Sequence, residues 1–220
     1  MLLNVSINPE SGFMGETRKI ILFGGTFDPV HLGHTEVTKA ASAEIGAEKV
    51  IFIPAKQSPL KQNQPRVGDQ HRIRMIELAI EDIPHFEGSD YEIKKKKPSY
   101  TLETVRHFKS LYDSDCSIHW LAGMDVIDEL PYWYGILELI DECNLCIMHR
   151  GGYQQPDFEK FRWLWGGQRI EKLKKNIIKT PEIDISSSAI REALSQGCDV
   201  SDMLDEKVLN HIAENNLYRN

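Results

Sequence analysis

The sequence predicts an α/β protein, a mainly parallel sheet with helices on both faces, and three observations predict it. Short apolar runs alternate with amphipathic segments along most of the chain, which is the pattern of successive βαβ units. Two of the apolar runs lead into glycine, at Gly24-Gly25 and at Gly123, where a strand would pass into a loop. The 220 residues are 41% hydrophobic and 27% charged, the make-up of a globular chain able to bury roughly 70% of its unfolded surface. Right-handed crossovers would then gather the loops that follow the strands along one edge of the sheet.

Each element has its own signal. Residues 1–17 read as a polar N-terminal tail and residues 18–220 as a single folded unit. Residues 19–23 form a buried strand, and residues 33–45 a helix with Val37, Ala40, Ala41 and Ile45 on one face. A second strand over 50–53 is stopped by Pro54. Residues 69–80 are helical, with Asp69 as N-cap and Ile73, Ile76 and Ile80 on one stripe. Residues 86–93 read as a third, more polar strand with a turn at 88–90, and residues 101–111 as a helix opened by Pro98-Ser99. A strand over 117–122, a helix over 134–140 and a strand over 145–148 follow. Beyond a Gly-Gly loop come a short helix near 158–165, extended residues around 177–185, and helices near 189–195 and 206–215.

The charge balance narrows the function classes. Against 33 acidic residues stand 26 basic ones, a net charge of −7, with no basic arm, so nucleic acid is not an expected partner. Any anion site must gather its positive groups locally. No stretch approaches the ~20 apolar residues of a membrane span, and the first residues lack the charged leader and apolar core of a signal peptide. Four scattered cysteines do not make a disulfide framework, so a reduced, cytoplasmic setting is expected. Cys143-x-x-Cys146 has no second pair beside it and reads as buried structural thiols. Residues 94–97, four lysines, read as a solvated basic turn.

Residues 24–34, G-G-T-F-D-P-V-H-L-G-H, lie between a strand and a helix. Glycines there let backbone N–H groups approach a phosphate. His31 and His34, three residues apart, can face one side near the first helical turn, making a compact cationic, donor-rich pocket. Neither G-x-G-x-x-G nor a G-x-x-x-x-G-K-[ST] loop is present. Two histidines without a third ligand leave a zinc site incomplete.

The segment resembles the G-x-x-x-P-x-[HT]-x-x-H signature of the nucleotidyltransferase superfamily, through Gly25, Pro29, His31 and His34. The chain is similar over most of residues 19–219 to bacterial nicotinate mononucleotide adenylyltransferases. The resemblance implies a Rossmann-like nucleotidyltransferase fold. It also implies adenylyl transfer from Mg²⁺–ATP to nicotinate mononucleotide, giving deamido-NAD and pyrophosphate. His31, His34 and Arg191 take the catalytic roles, and Gly24, Gly25, Thr26 and Phe27 the phosphate-binding loop. In I-S-S-S-A-I-R (185–191), Ser187, Ser188 and Arg191 would hold the ATP phosphates, with Ser188 where threonine is usual and Ser188 or a neighbour capping the helix. Lys61 matches a loop lysine over the triphosphate, while Leu60 replaces that loop's histidine. Gly123 and Asp125 sit where a carboxylate would bind ribose, and Arg150, in H-R-G-G-Y, would reach a nucleotide phosphate beside Gly151, which replaces a proline. Ser99, Tyr100 and Thr101 of P-S-Y-T would receive the pyridine carboxylate at a helix start, with Trp133 stacking on the ring beside Tyr134.

The mononucleotide's phosphate would attack the ATP α-phosphorus. Its second pKa of about 6 leaves it ionised at pH 7, so positioning and charge stabilisation would suffice. Mg²⁺ would arrive on the substrate, coordinated by phosphate and water, and no protein metal ligand is assigned. Three other readings remain at this point. One is an adenylyl- or cytidylyltransferase of the same superfamily acting on nicotinamide mononucleotide or another phosphomonoester. Another is a fragment of a class I aminoacyl-tRNA synthetase, against which no K-M-S-K-S-like loop is found. The third is a non-catalytic nucleotide sensor. The sequence leaves the oligomeric state open, a homo-oligomer included.

Overall fold

Six parallel strands, β1 (Arg18–Gly25), β2 (Lys49–Pro54), β3 (Phe86–Gly88), β4 (Cys116–Gly123), β5 (Asn144–Arg150) and β6 (Ile177–Thr180), make one sheet of order β3-β2-β1-β4-β5-β6. They are seen in a computed structural model that describes residues 17–57, 64–96, 98–112, 115–150 and 156–219. The central strands are continuous apolar runs because a parallel sheet is covered on both faces. Ile20, Leu22, Ile51 and Ile53 point into one core, and Ile21, Phe23, Val50 and Phe52 into the other.

The first face carries α3 (Thr101–Leu111), α4 (Ile136–Glu142), α5 (Arg162–Trp165) and α6 (Gly167–Lys175). The second carries α1 (Leu32–Ile45), α2 (Asp69–Ile80), α7 (Ser187–Ser195) and α8 (Glu206–Glu214). Among the described residues no helix is long and apolar enough to cross a membrane.

Several elements differ from the sequence expectation. The fully buried face of α1 is Gly33, Thr35, Thr38, Ala41 and Ser42; of the expected stripe Ala41 is buried and Val37 and Ile45 pack half-buried against the core. The threonine hydroxyls are accommodated by bonding back to Leu32 O (3.1 Å) and His34 O (2.6 Å). The third strand ends at Gly88, because Ser89 Oγ accepts from Tyr91 N–H and residues 90–95 close into turns. Trp133 and Tyr134 are not helical. They follow a 3₁₀ segment, Met124–Tyr132, and α4 starts only after Gly135, whose φ of 62° is left-handed. Gly68, not Asp69, stands at the α2 N-cap, whereas α7 is capped within the expected serine run, by Ser186 accepting from Ala189 N–H. The sequence reading omitted α6, whose apolar stripe has only Ile170 and Leu173 as buried members.

Candidate active site

Chain order runs outward from the centre in opposite directions on either side of the β1–β4 pair, so the loops leaving these strands part and open a crevice. A cleft of 1290 Å³ occupies that place. Every predicted site residue whose side chain is described lines it. Lys61, with Leu60 and Gly151, lies outside the described residues, as does the side chain of Arg150.

At one end is the β1–α1 loop. Its glycines are required first by neighbouring rings. A Cβ on Gly24 would come 2.5 Å from the Trp120 indole, and one on Gly25 2.8 Å from the Phe27 ring. Phe27 itself is buried at a left-handed φ of 49° and meets His34 edge-on, with centroids 5.1 Å apart.

His31 is the α1 N-cap, and its N–H donates to His34 Nδ1 at 3.2 Å. That bond places the proton of neutral His34 on Nε2. The two rings lie 3.7 Å apart. Burial pushes His31 down to about 4, and burial with the neighbouring His31 pushes His34 well below its usual value. Both are therefore neutral at pH 7, which corrects the expectation of a cationic pair. Donor capacity survives. Nδ1 of His31 is buried without a partner among the described residues.

The chain ties this loop down from several directions. Arg191 donates to Asp28 O at 2.7 Å and to Ser188 Oγ at 3.0 Å, while Ser187 Oγ donates to Pro29 O at 2.9 Å. Thr26 O accepts from Arg72, whose side chain is 0% exposed and also bonds Ala55 O and Asp69. Asp69 pairs in turn with Lys56. Arg66 adds another cation to the lining. Asp28, Arg66 and Arg72 were not picked out from the sequence. Two signals were available: Asp28 lies inside the G-G-T-F-D-P segment, and Arg72 is an arginine on the otherwise apolar inner face of α2.

At the other end Tyr100 is the N-cap of α3, whose first N–H groups have no intrahelical acceptor. Ser99 is buried, with its hydroxyl beside the Glu92 carboxyl. Thr104 donates to the buried Glu92 at 2.6 Å, and burial pushes that carboxyl up. The rings of Tyr100 and Tyr134 lie 4.8 Å apart. Gly123 ends β4, and Asp125 folds back so closely that a Cβ on Gly123 would meet its Oδ1 at 2.3 Å.

Other singled-out features fall outside this cleft. Burial pushes the Cys143 and Cys146 thiols up to about 12, as for inert structural thiols. Lys95 is not simply solvated: it pairs with Glu103 and sits 4.4 Å over the Tyr91 ring. Among the described residues no group of three or more His, Cys, Asp or Glu could hold a metal.

Residues 22–193 match the cytidylyltransferase-like family. A Clostridium tetani protein named "Probable nicotinate-nucleotide adenylyltransferase" is 36% identical over 206 residues, covering 92% of this chain and 100% of its own. One of the same name from Carboxydothermus hydrogenoformans is 36% identical over 202 residues, covering 91% and 98%. The solved Plasmodium falciparum nicotinic acid mononucleotide adenylyltransferase, complexed with NaAD, is 20% identical and shares the fold with a TM-score of 0.72, over 91% of this chain and 97% of that one.

Proposed function

The chain belongs to the cytidylyltransferase-like family and, within it, to the nicotinate-nucleotide adenylyltransferases, and we infer that it joins nicotinate mononucleotide to the AMP part of ATP, releasing pyrophosphate. The observation that carries this reading is that the N-termini of α1 and α3 open into one cleft. Both are anion-seeking helix ends. One suits a triphosphate, the other a pyridine carboxylate.

The acceptor phosphate is ionised near neutral pH, so the reaction needs no strong base. Neutral His31 and His34 fit that chemistry as donors to phosphate oxygens whose charge grows in the transition state. Arg191 and Ser188 hold the departing pyrophosphate, with the backbone N–H of Ser187, whose hydroxyl is engaged by Pro29. Lys61 and Arg150 would add positive charge. Gly123 and Asp125 face the adenosine ribose, and Trp133 and Tyr134 flank the pyridine ring. The family reaction uses ATP with a metal ion, and Mg²⁺ is the ion proposed. The residues present fit an ion carried by phosphate oxygens and water, since both Asp28 carboxylate oxygens are already engaged by the chain. Bound there, the ion would neutralise charge on the phosphates.

The test is pyrophosphate release from ATP with and without nicotinate mononucleotide. Release in step with deamido-NAD, and only with the mononucleotide, is expected. ATP binding with no release under either condition would replace the enzyme with a nucleotide sensor.

A further inference from the structure

The proposed chemistry gives Asp28 no contact with substrate, yet several distant segments of the chain meet on it. It is 3% exposed. One carboxylate oxygen accepts from Arg66 N–H at 2.7 Å, and the other from the Tyr218 hydroxyl, 190 residues away, at 2.7 Å. Its carbonyl accepts from Arg191 at 2.7 Å. Backbone strain gathers on both sides of the Tyr218–Asp28 bond: Phe27 has a φ of 49°, Asn216 of 50° and Tyr218 of 63°. Non-glycine residues hold such a conformation where surrounding contacts enforce it.

We propose that Tyr218 is a positioning residue for the adenylyl transfer, its hydroxyl occupying Asp28 so that Arg191 stays aimed at the triphosphate. The inference rests on the reading of the cleft given above. A buried carboxylate must have donors on both oxygens. Without the phenol, the freed oxygen turns to the nearby Arg191 guanidinium, which already bonds the Asp28 carbonyl. A charge-assisted bond would then draw Arg191 from Ser188 and from the phosphates. Burial and the Asp28 bond push the phenol up, so it remains a donor. The anchoring of this segment is separate from the hydroxyl, because Leu217 is buried in the second core and its N–H donates to Ile212 O at 3.0 Å.

Tyr218→Phe removes the hydroxyl and keeps the ring. The expected result is a roughly tenfold rise in ATP KM and in the Kd of a non-hydrolysable ATP analogue, the size of one hydrogen bond lost beside a charge. The mononucleotide KM should stay within about twofold and the melting temperature within a few degrees. Asp28→Asn should show the same ATP-selective effect, and adding Tyr218→Phe to it should change little further, since the two act as one unit. ATP constants within about twofold of wild type in Tyr218→Phe overturn the proposal. So does a parallel rise for both substrates with a lowered melting temperature, or additivity in the double variant. Analogue binding needs no acceptor, so a wild-type chain that fails to release pyrophosphate defeats the reading of the cleft while the ratio of analogue affinities still judges Tyr218.

Discussion

The two ends of the cleft are built differently. At the phosphate end a set of side chains that close the loop is tied to the chain: Arg191 to Asp28 and Ser188, Ser187 to Pro29, and the fully buried Arg72 to Thr26 and Ala55. At the pyridine end Tyr132 is 77% exposed and Tyr134 59%. What joins the α3 start to the Trp133 loop is a ring contact between Tyr100 and Tyr134. Charge stabilisation acts only if its donors need not reorganise during reaction, whereas a stacked ring can be gripped by residues that settle around it. The phosphate end should therefore govern turnover and ATP use, and the pyridine end should govern the choice of acceptor.

The strongest way to break that division is His34→Ala. It removes one preorganised donor, so turnover should fall by roughly 10²–10³-fold, about 2.7–4 kcal/mol. The fold should remain nearly intact, as a melting curve would record. Turnover within tenfold of wild type, with normal ATP binding, would mean that His34 does not touch the transition state.

Arg191→Ala comes next. Hydrogen bonds to charged groups contribute about 1.5–3 kcal/mol, so ATP KM should rise by roughly 10- to 100-fold while the mononucleotide KM holds. Initial rates with each substrate varied in turn decide it. A selective rise for the mononucleotide would reverse the assignment of the two ends.

The neutral histidines give a pH signature. Burial holds His31 at about 4 in the folded chain, against an ordinary value of about 6.5. Between those pH values the unfolded chain binds the extra proton, so the folded state loses stability as pH falls from 6.5 toward 4 and keeps it above 6.5. By pH 5 the loss from this one group is about 2 kcal/mol. Denaturant titrations of wild type and His31→Gln at pH 7 and pH 5 should differ in their pH dependence by that amount, with the wild type losing more. Equal pH dependence would show that His31 is not held neutral by burial.

The smallest expected effect sits at the pyridine end. The free N–H groups at the start of α3 suit a carboxylate, whereas a carboxamide sets N–H₂ donors against them. The amide keeps one acceptor and the same stacking surface, so nicotinate mononucleotide should be preferred over nicotinamide mononucleotide by at least about tenfold in kcat/KM. Sites built around a hydrogen-bonding group can discriminate far more strongly. Values within a factor of about three would detach the α3 terminus from acceptor choice.

The alternation of apolar runs and amphipathic segments was enough to expect a parallel α/β sheet, because periodicity is local and burial on both faces leaves strands such as residues 20–23 without polar interruptions. The G-G…H-x-x-H unit was legible for the same reason: its glycines, histidines and helix start lie within eleven residues. Resemblance, not periodicity, brought Ser99, Trp133 and Arg191 to the same cleft. Three things were decided only by tertiary structure. The histidines are neutral because desolvation depends on how deeply the folded chain buries them, which the local pattern does not record. Trp133 lies on a loop because Gly135 takes a left-handed φ, a choice that the apolar pattern of residues 134–140 does not record. Asp28 became a junction because Arg66, Arg191 and Tyr218 lie 38, 163 and 190 residues away in sequence. Such pairings carry no local period; they exist only once the sheet has closed and a buried carboxylate must find its donors.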